Sequence, residues 1–461
     1  MSDGAVDDAV LWRALTATVR DVVIPALPPG HALDTAVQLT GLARYAASRP
    51  APDPGGRARQ LQQALGSGAE AAAPDLDAVL HEASRVLVAA VAEPDPGGPA
   101  GRVRAVLLDQ LDEDIRIAAP LLETFSGHPA TDVEPVPRGV PADELGRLTR
   151  WFADVHGGPV EVECATVVSG GHSRRMLRVE LRTPAGPGGY MVRIEQGGTF
   201  GTDGTLEAGA MRVLAEAGLP VPPVRWIEGP DVLGQPFFVM DLVPGSSAVD
   251  DAVLDAFVAA LHAVHRSDPA LVSDALGPVP GPEAGVAAQI DRWEGVYRAS
   301  VPGPVPLLDE AAAWLRAHLR PTGPTVVVHG DPGPGNFLSQ DGRVVALTDW
   351  EFVHYGDAAE DWAYLAIIRG RKLGTPEWWY ERIERITGIR LEPADWHAWE
   401  ALNQFKGACA NLTALRLFRD GVASTPNLLA IGTAVHSRFL RRLADLVAQP
   451  PGDIATEPPR W

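Results

Sequence analysis

Three polar residues, spaced as they are, point to the chemistry of this chain. Residues 329–336 read His329-Gly330-Asp331, then four residues, then Asn336, and Asp349 follows thirteen positions later. Phosphoryl transfer from a nucleotide to a hydroxyl can use an aspartate to take the acceptor's proton. A catalytic loop of that kind carries an asparagine five positions on and a second aspartate from the next hairpin, both to hold magnesium. Asp331 fits the first role, and Asn336 and Asp349 fit the other two, since a hard cation prefers oxygen ligands. The apolar runs Thr325-Val326-Val327-Val328 and Val344-Val345-Ala346-Leu347 precede Asp331 and Asp349, as strands that deliver a loop would. His329 reads as a brace for the loop, and Glu351 as either an auxiliary ligand or a solvated carboxylate.

The nucleotide needs a cradle and a cation. Ser169-Gly170-Gly171-His172-Ser173 joins two strand-like runs, and its glycines would let backbone amides approach phosphate. Gly170, Gly171 and Ser173 are the candidate contacts, and an ordinary Gly-Gly hairpin is the plain alternative. The strand Gly189–Glu195 offers Arg193 as its cation. Lys372 and Lys406 are the only lysines of the chain, so no lysine is available there. Arginine grips phosphate through a planar fork rather than a point charge. Glu207, in the first turn of an expected helix, is its candidate partner, although a carboxylate there is favourable for the helix dipole alone. Pro236–Leu242 reads as a last strand, with Met240 and Leu242 placed to face an adenine. Asp357 and Asp361 read as helix caps. His262 and His265 lack a third ligand and read as no metal site.

The elements that must position these residues change character along the chain. Residues 1–126 read as an all-helical bundle, with Val10, Leu11, Leu15, Val19 and Val22 at helical spacing. Residues 127–141 carry Pro129, Pro135, Pro137 and Pro141 and read as a linker. Strand-like runs at 159–168, 175–182, 189–195 and 236–242, with a helix near 204–217, imply a small antiparallel sheet within 142–245. From 246 to 461 the pattern is mainly helical. The expected fold class is α+β: a two-lobed, protein-kinase-like arrangement preceded by an all-α bundle.

Composition sets the outer limits. The 461 residues suit more than one folding unit. A net charge of −20 would repel a phosphate backbone, so no nucleic-acid partner is expected. No apolar run is long enough to suggest a membrane span. Cys164 and Cys409 form no framework of disulfides, and a reducing cytoplasm fits them.

Taken in order, these segments resemble the aminoglycoside-phosphotransferase-like family of small-molecule kinases. The resemblance covers roughly residues 142–445. It rests on the Gly-Gly-His-Ser loop, Val192-Arg193, the Glu207 helix, Gly218-Leu219-Pro220-Val221-Pro222-Pro223, the His329–Asn336 loop, and Asp349-Trp350-Glu351. The loop, the arginine and Asp-Trp-Glu look most like the subgroup related to the kinase domain of acyl-CoA dehydrogenase fusions, which includes 4-hydroxyacyl-CoA kinases. Residues 8–49 also resemble a small helical protein that accompanies such kinases. The resemblance implies ATP and Mg2+ as cofactors and a hydroxyacyl-CoA or hydroxy acid as acceptor. A homodimer or a protein partner would use the bundle. The runner-up reading is an antibiotic kinase acting on an aminoglycoside or macrolide, and a silent nucleotide-binding pseudokinase is the third. Pro332-Gly333-Pro334-Gly335, between the catalytic Asp and the Asn, departs from the subgroup. Arg369, Arg371 and Lys372 are candidates for coenzyme A phosphates, with a solvated helix end as the plainer reading.

Overall fold

The computed structural model describes residues 8–27, 31–51, 53–66, 74–93, 97–126, 138–168, 174–195, 200, 202–422 and 426–449. The candidate residues Gly170, Gly171 and Ser173 lie outside this set, as does most of the expected linker.

Contacts divide the chain into two compact units. The first unites 1–136 with 290–319 and 404–461; the second unites 137–289 with 320–403. Segments 290–319 and 404–461, grouped with the C-terminal lobe in the sequence reading, thus pack with the N-terminal helices.

In the first unit, α1 (Asp8–Thr18), α2 (His31–Ser48), α3 (Pro54–Ala64), α4 (Leu76–Ala92) and α5 (Pro99–Ser126) follow one another. Asp53 and Asp75 cap α3 and α4 through their carboxylates. Val79, Ala83 and Leu87 recur every four residues and are buried along one face of α4. That helix lies against residues 306–318. Ser84 donates to Asp309 there, and Arg104 of α5 forms an ion pair with the buried Glu310. The expected stripe on the first helix is not a core face. Leu11, Leu15 and Val22 are exposed, and of that stripe's described side chains only Val19 is buried. Apolar spacing marks the helix but does not supply a covering partner.

In the second unit, six strands form an antiparallel sheet in the order β1-β2-β3-β4-β6-β5. They are β1 (Arg138–Gly139), β2 (Glu161–Val168), β3 (Arg174–Thr183), β4 (Gly186–Glu195), β5 (Val224–Glu228) and β6 (Phe237–Asp241). The short β5 escapes a pattern reading because prolines and glycines bound it closely. Alternation sorts the faces of the sheet. Leu177, Val179 and Leu181 of β3, Val192 and Ile194 of β4, and Phe237 and Val239 of β6 form one apolar face. Onto it packs α6 (Ala142–His156), through Leu148, Trp151 and Phe152. Arg175 also joins that side, clamping Glu144 of α6 with two 2.7 Å hydrogen bonds. Arg174, just before Arg175 on β3, and Arg193, between Val192 and Ile194 on β4, belong to the opposite face. There α7 (Gly204–Glu216) presents Glu207.

The remainder of this unit is mainly helical, with two short ribbons. β7 (Val326–Val328) pairs with β10 (His354–Gly356), and β8 (Phe337–Gln340) with β9 (Arg343–Leu347). Asp341 and Gly342, at φ 51° and 73°, close the β8–β9 hairpin in the left-handed conformation that such a turn requires. This is the α+β architecture expected from the sequence.

Candidate active site

The catalytic loop hangs between β7 and β8 and is held by a carboxylate behind it. Asp361, in α8 (Ala358–Tyr364), accepts the backbone N–H groups of His329 and Gly330 at 2.8 Å each, and pairs with His265 Nε2 at 2.9 Å. Burial opposes its charge, but His265 and His329 hold its pKa below the usual carboxylate range. So Asp361 does more than start a helix, and His265 is its partner rather than a metal ligand. Asp357 is the cap: it accepts from Ala359 N–H at 2.8 Å and also fixes the backbone of Thr322 and Gly323.

His329 braces the loop from within. Its Nε2 bonds to the Thr348 carbonyl at 2.9 Å, and its Nδ1 accepts the Asp331 N–H at 3.3 Å. That pair of partners requires the neutral Nε2–H tautomer. Burial, which lowers the imidazole's pKa, favours the same form. Gly330 takes φ 84°, and a Cβ there would stand 2.6 Å from Phe352 Cβ, so only glycine fits.

Asp331 and Asn336 meet directly. Asn336 Nδ2 donates to the Asp331 carbonyl and to Asp331 Oδ2, both at 2.8 Å. With the nitrogen spent inward, the amide oxygen is the atom left for a cation. Asp349 adopts φ 65°, a left-handed conformation rare for a residue with a Cβ. Its Oδ1 accepts from Arg193 Nη2 at 2.8 Å.

Arg193 is therefore the hub. Besides Asp349, its Nη2 lies 3.3 Å from Glu207 Oε1 and 3.5 Å from Glu351 Oε2. Burial disfavours its charge, yet Glu207, Asp349 and Glu351 together raise its pKa above the ordinary value. Asp349 is half-buried, and the Arg193 guanidinium holds its pKa below normal. Glu207 differs. Burial pushes its carboxyl up to about 7, against Arg193 and Arg174, and neither oxygen is hydrogen-bonded. The strand cation, the helix carboxylate and the loop aspartate thus stand together, with arginine where lysine would be the common choice.

Two further arginines belong here: Arg174, which pattern reading did not single out, and Arg369, which it offered only as a candidate for coenzyme A phosphates. Arg174 is buried on β3. It pairs with Glu195, donates to Thr202 Oγ1 at 2.9 Å and lies 3.9 Å from Glu207 Oε2. Its signal was the Arg174–Glu195 cross-strand match, visible only once the hairpin register is known. Arg369 ends a π-helical turn, Leu365–Arg369, and forks onto Asp331. It is thus no solvated helix end.

Met240 is buried in β6, opposite Met191 of β4. The Leu242 N–H donates to the Gly189 carbonyl at 2.9 Å, so that group is spent within the sheet.

Among the described residues no three His, Cys, Asp or Glu side chains gather into a metal cage. The donor set instead fits magnesium arriving on a nucleotide. Such an ion is usually held by one or two protein oxygens together with substrate phosphates. Asp349 and Asn336 could supply two.

Comparison with known proteins places this site. Mouse acyl-CoA dehydrogenase family member 10 is 26% identical over 392 residues, covering 72% of this chain and 36% of that protein. Rat acyl-CoA dehydrogenase family member 11 is 28% identical over 176 residues, covering 34% of this chain and 22% of that protein. The chain spans about a third or less of the length of these relatives. Among solved structures, a choline kinase from Streptococcus pneumoniae aligns with a TM-score of 0.48 at 15% identity, covering 65% of this chain and 99% of that one. The sequence profile of the phosphotransferase enzyme family matches residues 165–402, a stretch that holds β3 to β6, the loop and every charged group of this site. The chain belongs to that family of phosphotransferase enzymes.

Proposed function

We propose that the protein transfers the γ-phosphoryl group of Mg-ATP to the hydroxyl of a hydroxyacyl-CoA or a related hydroxy acid. The observation that carries this reading is a pair of contacts, Arg193 on Asp349 and Asn336 on Asp331, which bring the strand cation to one aspartate and the loop asparagine to the other. Asp331 is the group that accepts the acceptor's proton as its oxygen bonds to the γ-phosphorus and the bond to the β-phosphate oxygen breaks. Asn336 and Asp349 would hold the magnesium, which when bound would neutralise phosphate charge. Arg193, fixed by Glu207, faces the phosphates in place of a lysine, and Gly170, Gly171 and Ser173 are the further candidate phosphate contacts. Met240 and the backbone after it line the adenine side. Support for an acyl-CoA acceptor comes from the relatives, both named as acyl-CoA dehydrogenase family members. The reading places the enzyme in the cytoplasm.

The test is mass spectrometry of reactions containing ATP, magnesium and a pool of hydroxyacyl-CoAs, free hydroxy acids, aminoglycosides and macrolides. A phosphorylated hydroxyacyl-CoA is the expected product. A phosphorylated antibiotic would move the acceptor to the other class. The Asp331→Asn variant should lose turnover while keeping nucleotide affinity, and undiminished turnover in it would remove Asp331 from the mechanism.

A further inference from the structure

Asp331 is not free to act as a base. An ionised carboxylate has about four acceptor positions. Four donors reach this one: Arg369 Nε at 2.8 Å on Oδ1, Arg369 Nη2 on Oδ2, Asn336 Nδ2 at 2.8 Å on Oδ2, and the Tyr364 hydroxyl. The Asp331 side chain is 7% exposed and that of Arg369 36%, so the guanidinium forms the solvent side of the pair. An incoming hydroxyl must take a position that Arg369 now fills.

A second observation shows that the arrangement is built in. A Cβ added at Gly333 would lie 2.3 Å from Arg369 Cβ and 2.8 Å from Cγ. The glycine of the Pro-Gly-Pro-Gly segment is the slot through which the arginine stem reaches the catalytic carboxylate. The π-helical turn that ends at Arg369 is a local irregularity of the kind that often marks function.

We propose that Arg369 is a substrate-operated latch on Asp331, released when an oxyanion of a substrate, a carboxylate or a phosphate, takes over its guanidinium. Separating a paired arginine from a carboxylate without a replacement anion is strongly unfavourable. Release therefore requires a substrate that brings negative charge close to its hydroxyl. A polycationic acceptor cannot supply that charge. While the latch is closed, Asp331 cannot take a proton from water, and wasteful transfer of the γ-phosphoryl group to water is suppressed. The inference rests on the assignment of Asp331 as the base.

The experiment compares wild type with Arg369→Gln and Gly333→Ala, the second displacing the stem while keeping the charge. Acceptor-free ATP hydrolysis, transfer to a 4-hydroxyacyl-CoA and affinity for AMP-PNP are measured for each. Both variants should hydrolyse ATP about ten- to a hundredfold faster than wild type, the factor expected from one or two lost charge-assisted hydrogen bonds. In wild type alone, butanoate, which has the carboxylate but no hydroxyl, should stimulate hydrolysis. For Arg369→Gln, a raised acceptor KM with unchanged AMP-PNP affinity assigns the oxyanion to the acceptor. Weakened AMP-PNP affinity with an unchanged KM assigns it to the nucleotide. Hydrolysis unchanged in both variants, with KM and nucleotide affinity also unchanged, overturns the latch, as does a fall in kcat alone. If wild type neither hydrolyses ATP nor makes product, and Asp331→Asn changes nothing, the failure lies with the base assignment instead.

Discussion

Replacing Asp361 with alanine should loosen the catalytic loop without touching any group that meets a substrate. The carboxylate receives three buried donors: the amides of His329 and Gly330 and the His265 ring. Each buried donor left without a partner costs about 1–3 kcal/mol. If water reaches one of the three, the loss comes to about 2–6 kcal/mol. Every ~1.4 kcal/mol is a factor of ten, so the amides of His329 and Gly330 should exchange roughly twenty-five- to ten-thousandfold faster. Hydrogen exchange read by mass spectrometry on a peptide spanning 326–336 measures this directly. Because small misplacements at a reacting centre can cost about a hundredfold in rate, kcat/KM should fall by at least that order. Asp361→Asn retains one acceptor oxygen and should give an intermediate effect. Exchange within tenfold of wild type, with unchanged kcat, would refute the claim that this side chain holds the loop.

Asp361 also predicts an acid response. Its folded-state pKa is depressed, so the stability it confers is complete above the ordinary aspartate range and drains away as pH falls through the folded value. Urea denaturation of Asp361→Asn against pH should therefore show a shallower acid limb, and an identical limb would assign that loss to other carboxylates. Arg193→Ala leaves Glu207, Asp349 and Glu351 without their shared cation. Calorimetric titration with Mg-ATP should show affinity at least about tenfold weaker, by analogy with the loss of one charge-assisted contact; an unaltered Kd would move the phosphate grip to another residue. Arg104→Ala strands Glu310, whose side chain is 2% exposed. It should cost about 3–5 kcal/mol in urea denaturation, most of which Arg104→Ala with Glu310→Leu should restore. A double variant no more stable than the single one would show that the pair matters for more than charge.

What could be read from sequence was what chemistry fixes locally. Asp331, Asn336 and Asp349 keep short, constrained spacings because one loop and one hairpin must carry them, and the apolar strands beside them are continuous runs. The sheet was legible through alternation, apart from β5 and the two-residue β1, which falls in the expected linker. The unread part of the site consists of side chains that arrive from a distance. Arg369 meets Asp331 across 38 positions and Asp361 meets His329 across 32, and neither separation has a period. Arg369 sits in a basic run that looks solvated, and Asp361 sits where a cap would. Both signals were real residue-level patterns with a nearer explanation. The buried partner of α4 was equally hidden, since an apolar helix face does not say which helix will cover it.

The discontinuity of the first unit bears on how the chain is made. Ser84 and its partner Asp309 are 225 positions apart. At about 5–20 residues per second, a ribosome takes roughly 10–45 seconds to make that interval. Throughout it, the apolar face of α4 exists before the helix that will cover it. The second unit begins to emerge meanwhile, so the first to start is among the last to finish. A pause or a truncation downstream of residue 289 would thus strand the earliest helices, not the latest ones, in the state most open to aggregation and to proteases.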